Sequence, residues 1–340
     1  MSANSVYRFT NTSILTVVAV EAPEVVTSAQ FDDQLEPTLE RLNLRRGMLE
    51  QVAGIKERRW WPPEVTYSEM AAEAGKRALE QAGIPADRIG LLMDTSVCRA
   101  RLEPSSAVFV HHELGLSPAC LNFDLSNACL GFVNGMQLAA TMIDAGQIDY
   151  ALIVDAEGSR LIQERTIARL QDPQTAAPDI MSDFATLTLG SGAAAMVMGR
   201  TDLHPEGHQF LGGVARAATE HNTLCLGDMD RMVTDSRGLL IAGLDVAESA
   251  MKEASHDFDW DEIDHYIIHQ VSTVHCDALA QRLGLDQTKI PLTFPTLGNI
   301  GPAAIPITLA LHQDKIAKGD RVLVMGMGSG INAMAAEIRW

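Results

Sequence analysis

One long segment of this chain recurs in its second half. Residues 121–157 read LNFDLSNACLGFVNGMQLAATMIDAGQIDYALIVDAE, and residues 292–328 read LTFPTLGNIGPAAIPITLALHQDKIAKGDRVLVMGMG. Aligned without gaps, the two segments match at several apolar positions; Leu152, for example, matches Leu323, 171 positions later. Because this offset is close to half of the 340 residues, the sequence predicts two related halves.

Two shorter pairs of segments repeat in the same order. DRIGLLMDTSV (87–97) resembles DEIDHYIIHQV (261–271), and GSGAAAMVM (190–198) resembles GSGINAMAA (328–336). Because all three pairs follow one order along the chain, we interpret the similarity as an internal duplication.

Each half alternates short apolar strands with helices. Residues 151–154, 266–268 and 322–325 are continuously apolar, a pattern typical of strands that are covered on both faces. Strands that alternate with helices predict an α/β fold. We place the N-terminal half at residues 1–200 and the C-terminal half at residues 201–340.

The composition disfavours several classes of partner. A formal charge of −18 argues against nucleic acids and anionic membrane surfaces, because both bind through clusters of Lys and Arg. The apolar run ILTVVAV near the N-terminus is too short for a transmembrane segment and predicts a first strand. Five cysteines without CxxC spacing indicate reduced thiols and a cytoplasmic protein.

Cys129 stands between a strand and a helix. The run LNFDL (121–125) precedes it, and the following helix is apolar around most of its circumference, which predicts a buried helix. A cysteine at a helix start lies beside free backbone N–H groups and the positive end of the helix dipole. Such positions lower a cysteine pKa from about 8.5 to roughly 3.5–7.5, so Cys129 is a candidate nucleophile. The alternative is a packed core thiol.

His269 and Asn299 occupy comparable positions in the second half. His269 ends the strand HYII, and Asn299 corresponds in the repeat to the region of Cys129. Open α/β sheets place their functional sites at the carboxyl ends of parallel strands, so we expect the three side chains to meet. The alternatives are a core histidine with satisfied hydrogen bonds and an asparagine that only caps a helix.

The remaining cysteines and several histidines carry no such signal. Four cysteines lack a helix-start setting and are interpreted as structural: Cys98, Cys120, Cys225 and Cys276. His111, His112 and His275 have no carboxylate or thiolate partner at metal-ligand spacing, so we interpret them as structural or surface residues. The sequence therefore predicts no metal site.

Five motifs, in this order, resemble the thiolase superfamily, and specifically the ketoacyl synthase III branch of condensing enzymes. The matching segments are Gly54-Ile55-Lys56-Glu57-Arg58-Arg59, Asn127-Ala128-Cys129, His269-Gln270, Gly298-Asn299 and the GMGSG run at 326–330. They are distributed over the whole chain. The resemblance implies the thiolase fold, in which two duplicated αβαβα halves enclose buried central helices.

The resemblance also implies an acyltransferase that forms carbon–carbon bonds. A thiolate at Cys129 would take an acyl group from a thioester, and the backbone N–H groups of Cys129 and Ser329 would bind the oxyanion. His269 and Asn299 would stabilise the enolate oxygen of a second thioester. Coenzyme A thioesters are then substrates, and no bound cofactor is expected.

Glu103 indicates which condensation this is. Its context LEPS, at 102–105, resembles the thiolases that condense two fatty acyl-CoAs head to head in bacterial olefin biosynthesis, as do ATEHNTL (218–224), DRMVTD (230–235) and the final Trp340. This resemblance implies a non-decarboxylative Claisen condensation of two long-chain acyl-CoAs. The product is a 2-alkyl-3-ketoacyl compound, a β-keto acid, in the first step of long-chain olefin or ketone biosynthesis.

The same resemblance implies how Glu103 acts. The corresponding family segment reaches across a homodimer into the acyl channel of the neighbouring subunit, where a carboxylate could remove the carbon-bound proton. Expected partners are therefore a second copy of the chain, fatty acyl-CoA substrates and downstream enzymes of the olefin pathway.

Two alternative functions stay open. One is decarboxylative condensation with a malonyl thioester, as in 3-oxoacyl-ACP synthase III, which has no evident use for Glu103. The other is a non-catalytic subunit with the thiolase fold, although the presence of Cys129, His269 and Asn299 argues against it.

The CoA contacts depart from the family pattern. The arginine that contacts pantetheine in ketoacyl synthase III is Val52 here, and Val274 replaces a basic residue. Lys56, Arg58 and Arg59 are the candidate CoA contacts. The alternative is a solvated turn with salt bridges.

Overall fold

A ten-stranded mixed sheet runs through the molecule, shown by a computed structural model that describes residues 6–340. The strands are β1 (Val6–Arg8), β2 (Thr12–Glu21), β3 (Glu24–Thr27), β4 (Glu57–Trp60), β5 (Leu91–Asp94), β6 (Leu121–Asp124), β7 (Tyr150–Glu157), β8 (Gly192–Arg200), β9 (His208–Ala217), β10 (Cys225–Gly227), β11 (Met232–Thr234), β12 (His265–Ile268), β13 (Arg321–Gly328) and β14 (Asn332–Arg339). The helices are α1 (Ser28–Arg41), α2 (Met48–Gln51), α3 (Tyr67–Ala82), α4 (Ser106–Glu113), α5 (Gly131–Asp144), α6 (Arg160–Leu170), α7 (Ala177–Leu187), α8 (Ser236–Ala254), α9 (Thr273–Leu283), α10 (Phe294–Leu297) and α11 (Ala304–His312). The predicted α/β class is confirmed.

The strand pairings of the first half recur in the second half. The order in the sheet is β12-β13-β14-β9-β2-β8-β7-β5-β6, with β1 paired to β9. In the first half β5 and β7 are parallel, and β8 lies antiparallel to both β7 and β2. In the second half β12 and β13 are parallel, and β14 lies antiparallel to both β13 and β9. The topology thus repeats the order of segments seen in the sequence.

The two sets of strands meet at a short seam. Ser13 pairs with Gln209, and Ile14 pairs with His208, which joins β2 to β9 in antiparallel orientation. The run ILTVVAV lies in β2, although the short strand β1 precedes it along the chain. No helix within residues 6–340 combines the length and the apolar character that a membrane span requires.

Helices α5 and α11 form the buried centre between the two sets of strands. Phe132 and Met136 of α5 and Leu309 of α11 belong to one apolar cluster with Ile153 of β7 and Val324 of β13. These side chains are 2% exposed or less. The sequence prediction of a buried helix after Cys129 is confirmed, because its apolar residues contact strands from both halves.

Truncating Phe132 tests this central layer. We expect Phe132→Ala to lower the free energy of unfolding by about 3–5 kcal/mol, because the buried ring would leave a cavity among rigid neighbours. Urea unfolding followed by fluorescence measures the change, with Leu161→Ala, which truncates a 40% exposed side chain, as the control. Equal stability losses in the two variants would contradict a tightly packed central layer.

Candidate active site

Cys129 lies in a tight turn between β6 and α5. The N–H of Leu130 donates to the carbonyl of Asn127 (3.0 Å), and that of Gly131 donates to the carbonyl of Ala128 (3.0 Å). Ala128 has a φ of 46°, a left-handed conformation that is uncommon outside glycine and concentrates at functional sites. Helix α5 begins at Gly131, so Cys129 precedes the first helical turn by two residues.

Asn127 connects this turn to the C-terminal half. Its side-chain Nδ2 donates to Oδ1 of Asn134 (2.7 Å), and its Oδ1 accepts from Nδ2 of Asn332 (3.0 Å). A Cβ on Gly328 would lie 2.5 Å from the carbonyl oxygen of Asn127. Ser329, the residue after Gly328, therefore adjoins the Cys129 turn, although its role as an oxyanion donor stays a prediction.

His269 follows the carboxyl end of β12. Its backbone N–H donates to the carbonyl of Met325 in β13 (2.8 Å), and the residue is only 4% exposed. Gln270 holds the facing loop, because its Nε2 donates to the carbonyl of Pro291 (2.7 Å) and its Oε1 accepts from the N–H of Thr293 (2.9 Å). The glutamine of the His-Gln motif thus fixes the backbone that carries the histidine.

Asn299 lies in a loop that is bonded on both sides. Its N–H donates to the carbonyl of Thr188 (2.9 Å), and its carbonyl accepts from the N–H of Gly190 (2.8 Å). The side-chain Oδ1 accepts from the N–H of Gly301 (3.0 Å). Because Oδ1 is engaged in this way, the Nδ2 hydrogens are the part of the amide that can serve a substrate oxygen.

Shared neighbours bring the three loops together. Gly326 follows the strand residue that binds His269, and a Cβ there would lie 2.6 Å from Leu130, next to Cys129. On the other side, the carboxyl carbon of Glu157 lies 3.6 Å from the Cβ position of Gly301, in the Asn299 loop. The folded chain therefore brings the loops that contain Cys129, His269 and Asn299 close together, and their joint action at one site stays a prediction.

The electrostatics of Cys129 differ from the prediction. Burial raises its pKa to about 12, and the nearby charge of Glu157 acts in the same direction. The expected lowering of this pKa is wrong for the substrate-free site. The physical reason is that removing the thiol from water and placing it near carboxylates outweighs a helix that starts two residues later. Cys129 is therefore a neutral thiol in the resting site.

His269 is also neutral at rest. Burial lowers its pKa to about 3, and His275 adds a smaller effect of the same sign. A neutral imidazole has one N–H donor and one acceptor nitrogen, so it can donate to a developing oxyanion or accept a proton.

Buried carboxylates beside the site were missed by sequence reasoning. Glu157 accepts from the N–H groups of Val97 (2.6 Å) and Cys98 (3.3 Å), and burial raises its pKa to about 7. Asp94 and Asp155 are buried nearby. The sequence signal for these carboxylates was the run Asp-Ala-Glu at the end of the apolar strand β7. Burying a carboxylate in such a strand is unfavourable unless it is hydrogen-bonded.

Glu103 lies on an exposed loop that is fixed at both ends. The loop starts at the residues bound by Glu157 and ends where Asp124 accepts from the N–H of Ser106 (2.9 Å). Between these points Glu103 is exposed, and the neighbouring Leu102 is 97% exposed. A loop that is hydrogen-bonded at both ends and has an exposed leucine at its tip is suited to contact another surface.

The predicted CoA contacts are only partly accessible. Arg58 is fully buried, bonded to Ser28 and to the carbonyl of Leu187, and stacked on Phe31, so its assignment to CoA is wrong. The segment that contains it forms a strand whose side chains alternate between interior and surface.

Arg59 and Lys56 differ from Arg58 in exposure. The Arg59 guanidinium is partly buried and lies 3.6 Å from Glu57 and 3.9 Å from Glu21. Lys56 is exposed and stays the candidate cation of this segment. Within residues 6–340, no three His, Cys, Asp or Glu side chains are grouped so that they could hold a metal ion.

Comparison with known proteins identifies the class of enzyme. The model of the 3-oxoacyl-[acyl-carrier-protein (ACP)] synthase III family matches residues 123–218, and the model of that enzyme's C-terminal region matches residues 254–340. The chain belongs to this family of thiolase-fold condensing enzymes, which are transferases, and the predicted family is confirmed.

Within the family, the chain is similar to two acyl-CoA:acyl-CoA alkyltransferases. It is 44% identical to that of Xanthomonas campestris pv. campestris over 336 residues, which cover 98% of this chain and 99% of the relative. It is 32% identical to that of Shewanella oneidensis, with 94% and 96% covered.

Solved structures of Xanthomonas campestris OleA share the fold. A cysteine-to-serine variant with bound lauric acid and lauroyl-CoA has a TM-score of 0.96 at 43% identity, covering 98% of this chain and all of that chain. A glutamate-to-aspartate variant has a TM-score of 0.97 at 43% identity, with both chains fully covered. The predicted thiolase fold is confirmed.

The raised pKa of Cys129 can be tested on the free enzyme. We expect alkylation of Cys129 by iodoacetamide to accelerate about tenfold per pH unit from pH 7 to 10, because the thiolate fraction rises in proportion below a pKa of about 12. Peptide mass spectrometry measures the rate at this residue, and Cys129→Ala confirms the assignment. An alkylation rate that stops rising above pH 8 would instead support the low pKa that the sequence predicted for Cys129.

Proposed function

We propose that this enzyme joins two long-chain fatty acyl-CoAs by a non-decarboxylative Claisen condensation. The observation that carries the proposal is the proximity of the loops that contain Cys129, His269 and Asn299, together with an exposed carboxylate, Glu103, on a loop that is hydrogen-bonded at both ends. A malonyl-dependent enzyme makes its carbanion by losing CO₂ and needs no such base.

The first half-reaction acylates Cys129. Its Sγ attacks the thioester carbonyl, the carbonyl oxygen becomes an oxyanion held by the N–H groups of Cys129 and Ser329, and CoA leaves as the C–S bond breaks. The thiol proton ends on the departing CoA sulfur, so that CoA is released as a free thiol. The low polarity that keeps Cys129 protonated at rest also strengthens the hydrogen bonds to the oxyanion.

The second half-reaction forms the carbon–carbon bond. Glu103 of the partner subunit removes a proton from the carbon next to the second thioester, and the enolate oxygen accepts hydrogen bonds from His269 and Asn299. The enolate carbon attacks the acyl group on Cys129, the C–S bond to the cysteine breaks, and the released thiolate takes up the proton that Glu103 removed. The product is a 2-alkyl-3-ketoacyl thioester, which hydrolysis of its CoA ester converts into the β-keto acid.

One observation supports a homodimer, and a second relates Glu103 and Cys129 to two residues that were varied in a relative. Strand β6 is at the edge of the ten-stranded sheet, and its Leu121 is 50% exposed, so a second copy can pair along it. In Xanthomonas OleA the varied glutamate precedes the varied cysteine by 26 positions, the same spacing as Glu103 and Cys129 here.

The substrate carrier and the cellular setting follow from the same proposal. Lauroyl-CoA bound to OleA supports a CoA thioester as substrate, with Lys56 the candidate contact for its phosphates. Five free cysteines fit a reducing cytoplasm. Enzymes that reduce or decarboxylate a β-keto acid toward an olefin or a ketone would act next.

Replacing Glu103 separates the two half-reactions. With one long-chain acyl-CoA and no malonyl donor, we expect Glu103→Gln to release the first CoA normally but to form product on the order of 10²- to 10⁴-fold more slowly, because the carbon acid lacks its base. Mass spectrometry follows both the acyl-enzyme and the product. A variant that condenses at the wild-type rate, or a wild type that requires malonyl-CoA, would overturn the proposal.

Mixed dimers test whether Glu103 acts between subunits. We expect Cys129→Ala and Glu103→Gln homodimers to be inactive, and the heterodimer to regain activity, because one site then combines an intact cysteine with the glutamate of the other chain. Two affinity tags isolate the heterodimer for product assay. An inactive heterodimer, or an active monomer in light scattering, would contradict the shared site.

A further inference from the structure

A small cavity lies behind His269, on the side of β13 and β14. Its volume is about 20 Å³, and it is bounded by His269 and His275 together with apolar side chains from α8, α9, β13 and β14. A cavity needs roughly 10–15 Å³ of this kind of volume to hold one water molecule, and a stable water needs at least two polar partners. The space therefore fits one water.

The two imidazole rings supply the polar partners. Nδ1 of His269 and Nδ1 of His275 are both buried, and neither has a hydrogen-bond partner among residues 6–340. Nε2 of neither ring is a buried atom that lacks a hydrogen-bond partner. Leaving two buried ring nitrogens without partners would cost on the order of 1–3 kcal/mol each. Both rings are neutral, because burial lowers the pKa of His275 to about 4 and that of His269 to about 3.

We propose that one buried water bridges Nδ1 of His269 and Nδ1 of His275, and that His275 thereby orients the catalytic imidazole. The water donates a hydrogen to Nδ1 of His269, so the single ring proton of His269 resides on Nε2. His275 is a positioning residue, since it contacts the reacting atoms only through this water and His269.

This arrangement explains how a neutral histidine acts as a fixed donor. Stabilising an enolate oxygen requires an N–H that already points at it, and an imidazole whose second nitrogen is unbonded has neither a fixed tautomer nor a fixed ring orientation. His275 itself is held at the start of α9, where its N–H donates to Oγ of Ser272 (3.2 Å). The catalytic part of this inference rests on the proposed function, whereas the hydrogen bond itself does not.

The hydrogen bond can be measured without any reaction. In the ¹⁵N spectrum of histidine-labelled protein, with His269→Asn used to assign the signal, we expect Nδ1 of His269 to be unprotonated and hydrogen-bonded. His275→Leu should shift this resonance toward that of a free pyridine-type nitrogen, and His275→Asn, whose amide can replace Nδ1, should largely restore it. A crystal structure of the wild type should show one water about 2.7–3.2 Å from both Nδ1 atoms.

Kinetics test the positioning role. His275→Leu should slow condensation about 10- to 100-fold, as is typical when a buried partner of a functional imidazole is lost, with KM nearly unchanged and partial rescue in His275→Asn. His256→Leu, which removes an exposed histidine, should have no effect. A dry cavity, a protonated Nδ1 on His269, or an unshifted resonance in His275→Leu would overturn the inference. A wild type that makes no condensation product would instead reject the proposed function.

Discussion

The catalytic geometry depends on the close approach of β13 to the Cys129 turn. Any side chain on Gly326 would overlap Leu130, and any side chain on Gly328 would overlap the carbonyl of Asn127. These two glycines let the C-terminal half lie against the turn that carries the nucleophile. The backbone N–H of His269 is hydrogen-bonded to β13, so the position of β13 also fixes the position of His269. The two halves can approach this closely because β13 has no side chain at either position.

The same close packing explains the charges of the site. Burial favours the neutral forms of the Cys129 thiol and the His269 imidazole and raises the pKa of Glu157. In the proposed reaction, charge develops on the substrate oxygens, and the N–H groups of the turn and the amide of Asn299 would stabilise it.

The sequence by itself determined the architecture and the candidate reacting groups. The duplication was visible because both halves keep the same order of apolar strands, and the sheet pairs those strands in the same way twice. Cys129, His269 and Asn299 became candidates because each lies at a joint between a strand and a helix, and such joints follow from local hydrophobic patterns. Patterns of this kind are properties of neighbouring residues along the chain.

Only the tertiary structure decided the environment of each group. Arg58 is in a motif that suggested a surface contact, yet it is buried against Phe31, and Cys129 is neutral although its position suggested a thiolate. Glu157 and His275 gain their importance from what the fold places beside them. Burial, pKa and shared cavities depend on residues more than 100 positions apart in the sequence, such as Leu130 and Gly326, and no local pattern encodes such contacts.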